Sequence, residues 1–596
     1  MYKPLVPCLL LLSLSACQIN STEQTSQTES LGVATSPVNQ QLAGIIDRAW
    51  QLRLDTNPDL DYAMGNEAAA GKLTDLSPAA LAALNDKRSG LLEELKQIDT
   101  SSLNKEEKIN AQILEYQIQN SVDLYRYKDH YLPITAESGF HAYIASIAKG
   151  RFQNQEDYQH YISKLKALPG YFAQQTYWMK QGLASGITPA KASLKGFEDS
   201  ISAFIVPVEQ SGYFKPFTHY PNSFSEQEKQ ALTEQGRSLV SELVLPSYQA
   251  FYDFMVNEYL PNARTSIAAS DLPDGREFYE NRVRYYTTLN MTADEVHVLG
   301  LQEVKRIRSE MQKVIDQVGF DGDFAAFLIF LRTDPQFYAK TPIELLRYTA
   351  LLAKKADAIL PRYFGKLPRK TYGIQEVPAQ IAPKYTTGRY SGSDRDDEPG
   401  YYWVNTYALD KRPLYEMEAL TLHEAVPGHH LQIALNQELT SLPNFRRYSY
   451  ISAFGEGWGL YSEHLGIEAG FYQDPYSNFG RLTYEMWRAA RLVVDTGMHA
   501  KGWTRQQAID FMASNTALSL HNVTTEIDRY ITWPGQALSY KIGELTIKRM
   551  RQKAEQALGD KFDIRAFHDA VLANGSVPMA LLEQQIDDFI AENAAN

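Results

Sequence analysis

Cysteine is almost missing from this sequence: its 596 residues include only Cys8 and Cys17. Both lie in residues 1–17, where an apolar run from Leu5 to Leu14 ends in the lipobox-like Leu14-Ser15-Ala16-Cys17. We expect residues 1–17 to be a lipoprotein signal peptide and lipobox, cleaved before Cys17, whose lipidated thiol anchors the chain to a membrane. The rest of the chain then excludes disulfides, thiolate metal ligands and cysteine nucleophiles.

Long apolar runs and excess positive charge are missing as well. No segment after the signal is apolar enough to span a bilayer, and the net charge of −13 argues against a nucleic-acid partner. A Gly-x-Ser-x-Gly elbow, typical of serine hydrolases, is not apparent. Residues 18–40 are rich in Ser, Thr and Gln, which predicts a disordered tether. Gln18 follows the lipobox, and resemblance to Gram-negative sorting implies an outer-membrane lipoprotein that faces the periplasm.

Helical periodicity dominates from about residue 41 onward. Ser225 to Glu228 and Thr292 to Glu295 have the pattern of capping boxes. Thr341-Pro342 places proline at its preferred first helical position. The sequence therefore predicts a mostly α protein.

We expect a large two-lobed helical body with a deep cleft, made of an N-terminal helical lobe (residues 41–275) and a catalytic helical lobe (residues 276–596). Strand signals are few, and the clearest is Tyr401 to Thr406. As a short edge strand, it could pair with an extended peptide. An aromatic strand packed in the core is an equally good interpretation.

The segment His423-Glu424-Ala425-Val426-Pro427-Gly428-His429-His430 is the most informative part of the chain. It combines three imidazoles with one carboxylate inside a helical pattern. Imidazole is a good zinc ligand, and a carboxylate beside a ligand can take a proton from water activated by the metal. The segment therefore predicts a metal site.

The spacing of these histidines requires a break in the helix. In a straight helix His429 would lie about 120° around the axis from His423, and His430 about 10 Å further along it. Pro427 lacks the N–H that would continue the helix, and Gly428 tolerates unusual dihedral angles. A kink there would return His429, or alternatively His430, to the side of His423.

A third ligand is expected from a following helix. Glu456 is the best candidate because glycines flank it and 33 residues separate it from His423, enough for a loop and an antiparallel helix. Glu463, two turns later on the same face, is the reserve candidate. Two histidines and one glutamate would leave a position for water, as in catalytic zinc sites.

The segment Leu420 to Gln432 resembles a large bacterial domain-of-unknown-function family, number eight-eight-five. Further matching segments are 456–463, 491–499 and 529–541. A more distant resemblance connects the chain to thimet-type, angiotensin-converting and thermostable carboxypeptidase zinc enzymes, which implies a zincin-like body. That resemblance implies His423, His429 and Glu456 as zinc ligands and Glu424 as general base.

An oxyanion-stabilising donor is also needed. Candidates are Tyr540, Tyr530, His499 and Arg529, and we favour Tyr540 because Pro534-Gly535 can break the preceding helix.

Two arginines are candidates for a different role. Arg529 and Arg491 could bind a substrate carboxylate. Buried ion pairs with Asp495 or Asp528 explain them equally well.

The sequence thus predicts a lipid-anchored metallopeptidase that holds one zinc per chain and hydrolyses short peptides. The alternatives are a metal-dependent hydrolase of amides, esters or cell-wall fragments, and a non-catalytic metal-containing binding lipoprotein. The sequence does not indicate an oligomeric state.

Overall fold

Helices dominate the computed structural model, which describes residues 37–379, 381–393, 395 and 397–595. The mostly α fold is confirmed. The predicted signal peptide, Cys17 and most of the predicted tether lie outside the described residues, and the first helix begins at Pro37, inside the range predicted as tether. Across the described residues, no helix combines the length and apolar character that crossing a membrane requires.

Fourteen α-helices precede the sheet in the described part of the chain. They are α1 (Pro37–Asp55), α2 (Pro58–Ala63), α3 (Pro78–Lys96), α4 (Lys105–Arg126), α5 (Phe140–Tyr143), α6 (Gln155–Ser185), α7 (Glu198–Ser202), α8 (Glu226–Leu239), α9 (Leu245–Phe254), α10 (Leu260–Asn262), α11 (Gly275–Thr287), α12 (Ala293–Val318), α13 (Phe324–Thr333) and α14 (Pro342–Tyr363).

Three short strands and ten further helices follow among the described residues. The strands are β1 (Tyr372–Glu376), β2 (Gly388–Ser391) and β3 (Gly400–Val404). The helices are α15 (Met417–Glu424), α16 (His429–Glu438), α17 (Asn444–Arg447), α18 (Ser452–Glu468), α19 (Pro475–Ala500), α20 (Arg505–Asn515), α21 (Leu520–Thr532), α22 (Ser539–Leu558), α23 (Ile564–Leu572) and α24 (Met579–Ala595).

The predicted helix starts are present. Ser225 and Thr292 cap α8 and α12 through reciprocal capping boxes. Thr341 caps α14, with Pro342 as its first residue. These caps satisfy backbone N–H groups that have no partner inside the helix, so local sequence alone sets where each helix begins.

The strand predicted at Tyr401 to Thr406 is present as β3, but its assignment as an edge strand is wrong. β3 is the centre of a three-stranded sheet, with β1 parallel on one side and β2 antiparallel on the other. The sequence does not reveal these partners because both are short and contain glycine. The edge strand that faces the histidine segment is β2.

The buried hydrophobic side chains form separate clusters of different size. One cluster lies between residues 134 and 260, where Tyr158, Phe217 and Tyr248 are fully buried. The largest cluster joins α1, α3 and α4 to α14 and the helices after the sheet. The N-terminal helices therefore share the core around the histidine segment, and the division at residue 275 stays a prediction.

α18 and α22 cross at very close range. A Cβ added at Gly543 would overlap the carbonyl oxygen of Ala453, and one added at Gly457 would lie 2.5 Å from the Cα of Gly543. The two glycines thus let the backbones touch next to Glu456.

We expect Gly543→Ala to lower the free energy of unfolding by about 2–3 kcal/mol, because the backbones must separate to admit a methyl group. Gly90→Ala is the matched control. Gly90 lies inside α3 with open space around it, so this change should raise stability by up to about 1 kcal/mol. Urea unfolding measures both, and equal effects of the two substitutions would contradict the close crossing.

Candidate metal centre

The histidine segment breaks between two helices, as its proline and glycine predict. α15 ends at Glu424 and α16 begins at His429. The Val426–Pro427 peptide bond is cis, and the Pro427 carbonyl accepts a hydrogen bond of 2.8 Å from the buried Trp458 indole. At Gly428 an added Cβ would overlap the last turn of α15. Glycine there allows the chain to turn back against the helix it has just left.

The break brings His423, His429 and Glu456 together. Glu456 Oε2 lies 3.5 Å from His423 Nε2 and 3.2 Å from His429 Nε2. One potential ligand atom from each residue falls within 4.8 Å of the others. Ligands that bind a tetrahedral zinc ion at about 2.0–2.1 Å lie about 3.4 Å apart. This donor set and spacing therefore fit zinc.

One face of α18 supports His423. Glu456 and Glu463 project from this face on either side of Gly459, where a Cβ would lie 2.7 Å from the imidazole. Glu463 Oε1 is 2.8 Å from His423 Nδ1 and 3.4 Å from Arg488 Nη2. Glu463, the reserve ligand candidate, therefore contacts Nδ1 of His423, and Nε2 of the same ring points at Glu456. Carboxylates commonly orient zinc-binding histidines in this way, from the nitrogen that does not bind the metal.

His430 lies outside this cluster, which corrects its inclusion among the candidate ligands. Its Nδ1 is 3.0 Å from the Tyr390 hydroxyl, and its Nε2 is 3.1 Å from the Lys370 carbonyl oxygen. Burial lowers the pKa of His430 to about 4, so the ring is neutral. It joins α16 to the sheet.

Glu424 ends α15 and is almost fully buried. Its Oε2 accepts a hydrogen bond of 2.8 Å from the Tyr390 N–H of β2. The strand edge thus holds this carboxylate in the same cavity wall as the two histidines.

These groups line a cavity of about 250 Å³. Its lining residues are Thr386, Thr387, Gly388, Arg389, Tyr390, Leu420, His423, Glu424, His429, Ile433, Tyr450, Glu456, Tyr484, Trp487, Arg488, Arg491, Glu526, Arg529, Trp533, Gln536 and Tyr540.

Tyr540 and Arg529, two of the candidate donors, line the cavity. The Tyr540 ring stacks near His423, with centroids 6.2 Å apart, and the Arg491 guanidinium lies 4.1 Å above it. Among the described residues the Tyr540 hydroxyl forms no hydrogen bond.

His499 and Tyr530 are not brought to the cavity, which corrects both as donor candidates. His499 is 2.9 Å from the Ala269 N–H and 3.0 Å from the Tyr530 carbonyl, and burial lowers its pKa to about 4. The Tyr530 hydroxyl contacts the Trp487 indole at 2.9 Å and Arg491 Nε at 2.7 Å. The polar groups of both side chains are therefore taken up by hydrogen bonds within the protein interior.

Glu526 pairs with the two predicted arginines, instead of Asp495 or Asp528. It lies 3.0 Å from Arg491 Nη2 and 3.3 Å from Arg529 Nη1. The predicted ion-pair partners were therefore wrong.

Sequence reasoning missed Tyr450 and Arg389. The Tyr450 ring lies 6.3 Å from the His429 ring and packs on Gly455 just before Glu456. Gly455 is the weak sequence signal for this contact, because a side chain there would overlap the Tyr450 ring. Arg389 comes from β2, a strand that the sequence analysis did not find.

The comparisons agree with this architecture. The family described as bacterial protein of unknown function, DUF885, matches residues 58–586. This chain belongs to that family. No curated protein matches it.

Two solved structures are similar to this DUF885 protein. A proposed lipoprotein from Colwellia psychrerythraea is 29% identical, with a TM-score of 0.85 over 93% of this chain and 100% of that chain. A proposed lipoprotein of unknown function from Shewanella oneidensis is 19% identical, with a TM-score of 0.68 over 92% of this chain and 99% of that one, and shares the fold.

Neighbouring histidines provide a test of the ligand set. His429→Ala should weaken zinc affinity on the order of 100-fold or more because a ligand is lost. His430→Ala, which removes an adjacent imidazole outside the cluster, should still bind about one ion per chain. Equilibrium dialysis with metal analysis measures both. Equal zinc loss in the two variants would contradict the assignment.

Ion binding should also depend on pH. Burial alone lowers the pKa of His423, but the carboxylates of Glu456 and Glu463 outweigh it and raise this pKa to about 9 without an ion. Zinc must then displace a proton, so affinity should rise roughly tenfold per unit from about pH 6 to about pH 8. Calorimetry in buffers of different ionisation enthalpy measures the released proton. Glu463→Gln should flatten the slope, and a pH-independent wild-type affinity would refute this account.

Proposed function

We propose that this protein is a zinc-dependent metallopeptidase of the bacterial cell envelope that hydrolyses short peptides. The observation that carries the proposal is the meeting of His423, His429 and Glu456 in one cavity wall with Glu424 beside them. Among the described residues the cluster supplies three ligands, while His430 contacts Tyr390 and Lys370. A three-ligand set supports a catalytic site over a closed structural one.

His423, His429 and Glu456 would hold the ion, and zinc bound there would supply a Lewis acid that polarises a peptide carbonyl and lowers the pKa of water. Glu424 then accepts the proton of the attacking water. The water oxygen bonds to the carbonyl carbon, the C–N bond breaks, and Glu424 passes the proton to the leaving amine. The hydrogen bond from the Tyr390 N–H to Oε2 of Glu424 holds the carboxylate in one orientation during both proton transfers.

Tyr540 is the proposed donor to the oxyanion. It lies in the cavity wall against His423, and a hydroxyl there can donate to the oxygen on which charge develops. One such donor contributes about 3–4 kcal/mol. The guanidinium of Arg491 over the ring holds the tyrosine in place.

The proposed location is the periplasmic face of the outer membrane. The lipobox at Cys17 and the following Gln18 support it, and both similar structures are described as proposed lipoproteins. The same site could hydrolyse another amide, an ester or a cell-wall fragment, so a substrate screen accompanies the test.

Glu424→Gln tests the general base. The amide oxygen can still accept from the Tyr390 N–H, so the variant should bind zinc normally while peptide turnover falls by about 10²–10⁴. Glu468→Gln, at the exposed end of α18, is the control and should keep full turnover. A peptide-library digest with metal analysis gives both readouts. Unchanged turnover in Glu424→Gln would refute the assignment of Glu424 as general base. A wild-type protein without affinity for zinc would refute the whole proposal.

A further inference from the structure

Arginine is concentrated in the wall of the cavity. Arg389, Arg488, Arg491 and Arg529 all line it, against three glutamates. Of these glutamates, Glu456 faces the histidines and Glu424 accepts from β2. This leaves Glu526 as the lining carboxylate that faces guanidinium groups.

The buried arginines have more donors than the protein satisfies. Arg491 and Arg529 share the single carboxylate of Glu526, and Arg529 also faces Glu137 at 3.8 Å. Arg491 Nη1, Arg529 Nε and Arg488 Nε are buried without a hydrogen-bond partner among the described residues. Unsatisfied buried donors are costly, which favours an anionic partner at this wall.

Arg389 differs from the other three. It is exposed on β2 and forms no ion pair within 4.0 Å among the described residues, and Glu137, the carboxylate that acts on it electrostatically, lies farther away. Its nearest aromatic neighbour is Tyr385, 5.3 Å from the guanidinium carbon to the ring centroid. Arg488 and Arg491 pack on Trp487 and Tyr540, and Arg529 packs on Tyr530 and Trp533. These three are also held by ion pairs with Glu463 or Glu526, whereas Arg389 has only its aromatic contact.

A divalent ion would add to this positive charge. Guanidinium groups bind carboxylates through two parallel N–H···O bonds, and a water-poor cavity strengthens them. The cavity of about 250 Å³ is small compared with drug-sized sites of roughly 300–1,000 Å³. A ligand of one or two amino-acid residues with a free carboxylate matches both its size and its charge.

We propose that the arginine wall, with Arg389 as the decisive residue, binds a substrate carboxylate next to the scissile bond. This inference rests on the proposed hydrolytic function. The protein would then hydrolyse short peptides near an end that carries a carboxylate. Either the terminal carboxylate of the peptide or the side-chain carboxylate of its last residue binds to the arginine wall. Glu424 and the zinc ligands face the adjacent peptide bond.

The test measures binding to the zinc-loaded Glu424→Gln protein, so no turnover is needed. Three probes are titrated by calorimetry: acetyl-Ala-Ala as the free acid, its carboxamide, and acetyl-Ala-Glu carboxamide. A free carboxylate should tighten binding at least about tenfold over the neutral carboxamide. Preference for the first probe identifies the terminal carboxylate, and preference for the third identifies the side chain.

Arg389→Gln in the same background should reduce the acid-over-amide preference to about threefold or less, because it removes the lining guanidinium that forms no ion pair among the described residues. Arg549→Gln is the matched control: it removes an exposed arginine of α22 that pairs with Glu583 of α24, and it should leave the preference intact.

Equal affinity for all three probes would overturn the carboxylate inference. So would an undiminished preference in Arg389→Gln. Neither result touches the proposed peptidase, which is judged by zinc content and by the loss of turnover in Glu424→Gln.

Discussion

The close return of the chain at Gly428 is the constraint on which the site depends. Without a side chain, this residue lies against the carbonyl groups that end α15, and the hydrogen bond from Trp458 to the Pro427 carbonyl secures the turn from outside. The consequence is that α16 starts with His429 facing His423. A continuous helix would separate these rings by about a third of a turn.

α18 converts this turn into a potential metal centre. Residues spaced three or four apart share a face of a helix, and α18 uses that spacing to place Glu456, Gly459 and Glu463 against one imidazole. One carboxylate approaches each nitrogen of His423, and the glycine between them makes room for the ring. The close crossing with α22 at Gly543 holds α18 at this depth and brings Tyr540, near the start of α22, into the same cavity.

The cavity is polarised by its two walls. The imidazoles and the carboxylates of Glu424 and Glu456 come from α15, α16 and α18, whereas the guanidinium groups and the Glu526 carboxylate come from β2, α19 and α21. Burying so many charges is costly unless each finds a partner. Glu463 and Glu526 offset part of the charge of Arg488, Arg491 and Arg529. Arg389 adds a fourth guanidinium group, which forms no ion pair among the described residues.

Local sequence determined the helix starts at Ser225, Thr292 and Thr341, the break at Pro427-Gly428 and the choice of Glu456 between glycines. These features depend on capping side chains, on a missing N–H and on a missing Cβ, which act within a few residues. Only tertiary structure decided between His429 and His430, since adjacent rings point in different directions and the exit angle of the turn selects one. It also placed β3 at the centre of the sheet, engaged His499 and Tyr530 in packing, and brought Arg389 to the site from a strand without a clear signal. The physical reason is that strand partners, buried ion pairs and cavity walls are set by contacts between residues far apart in the chain, which local propensity does not encode.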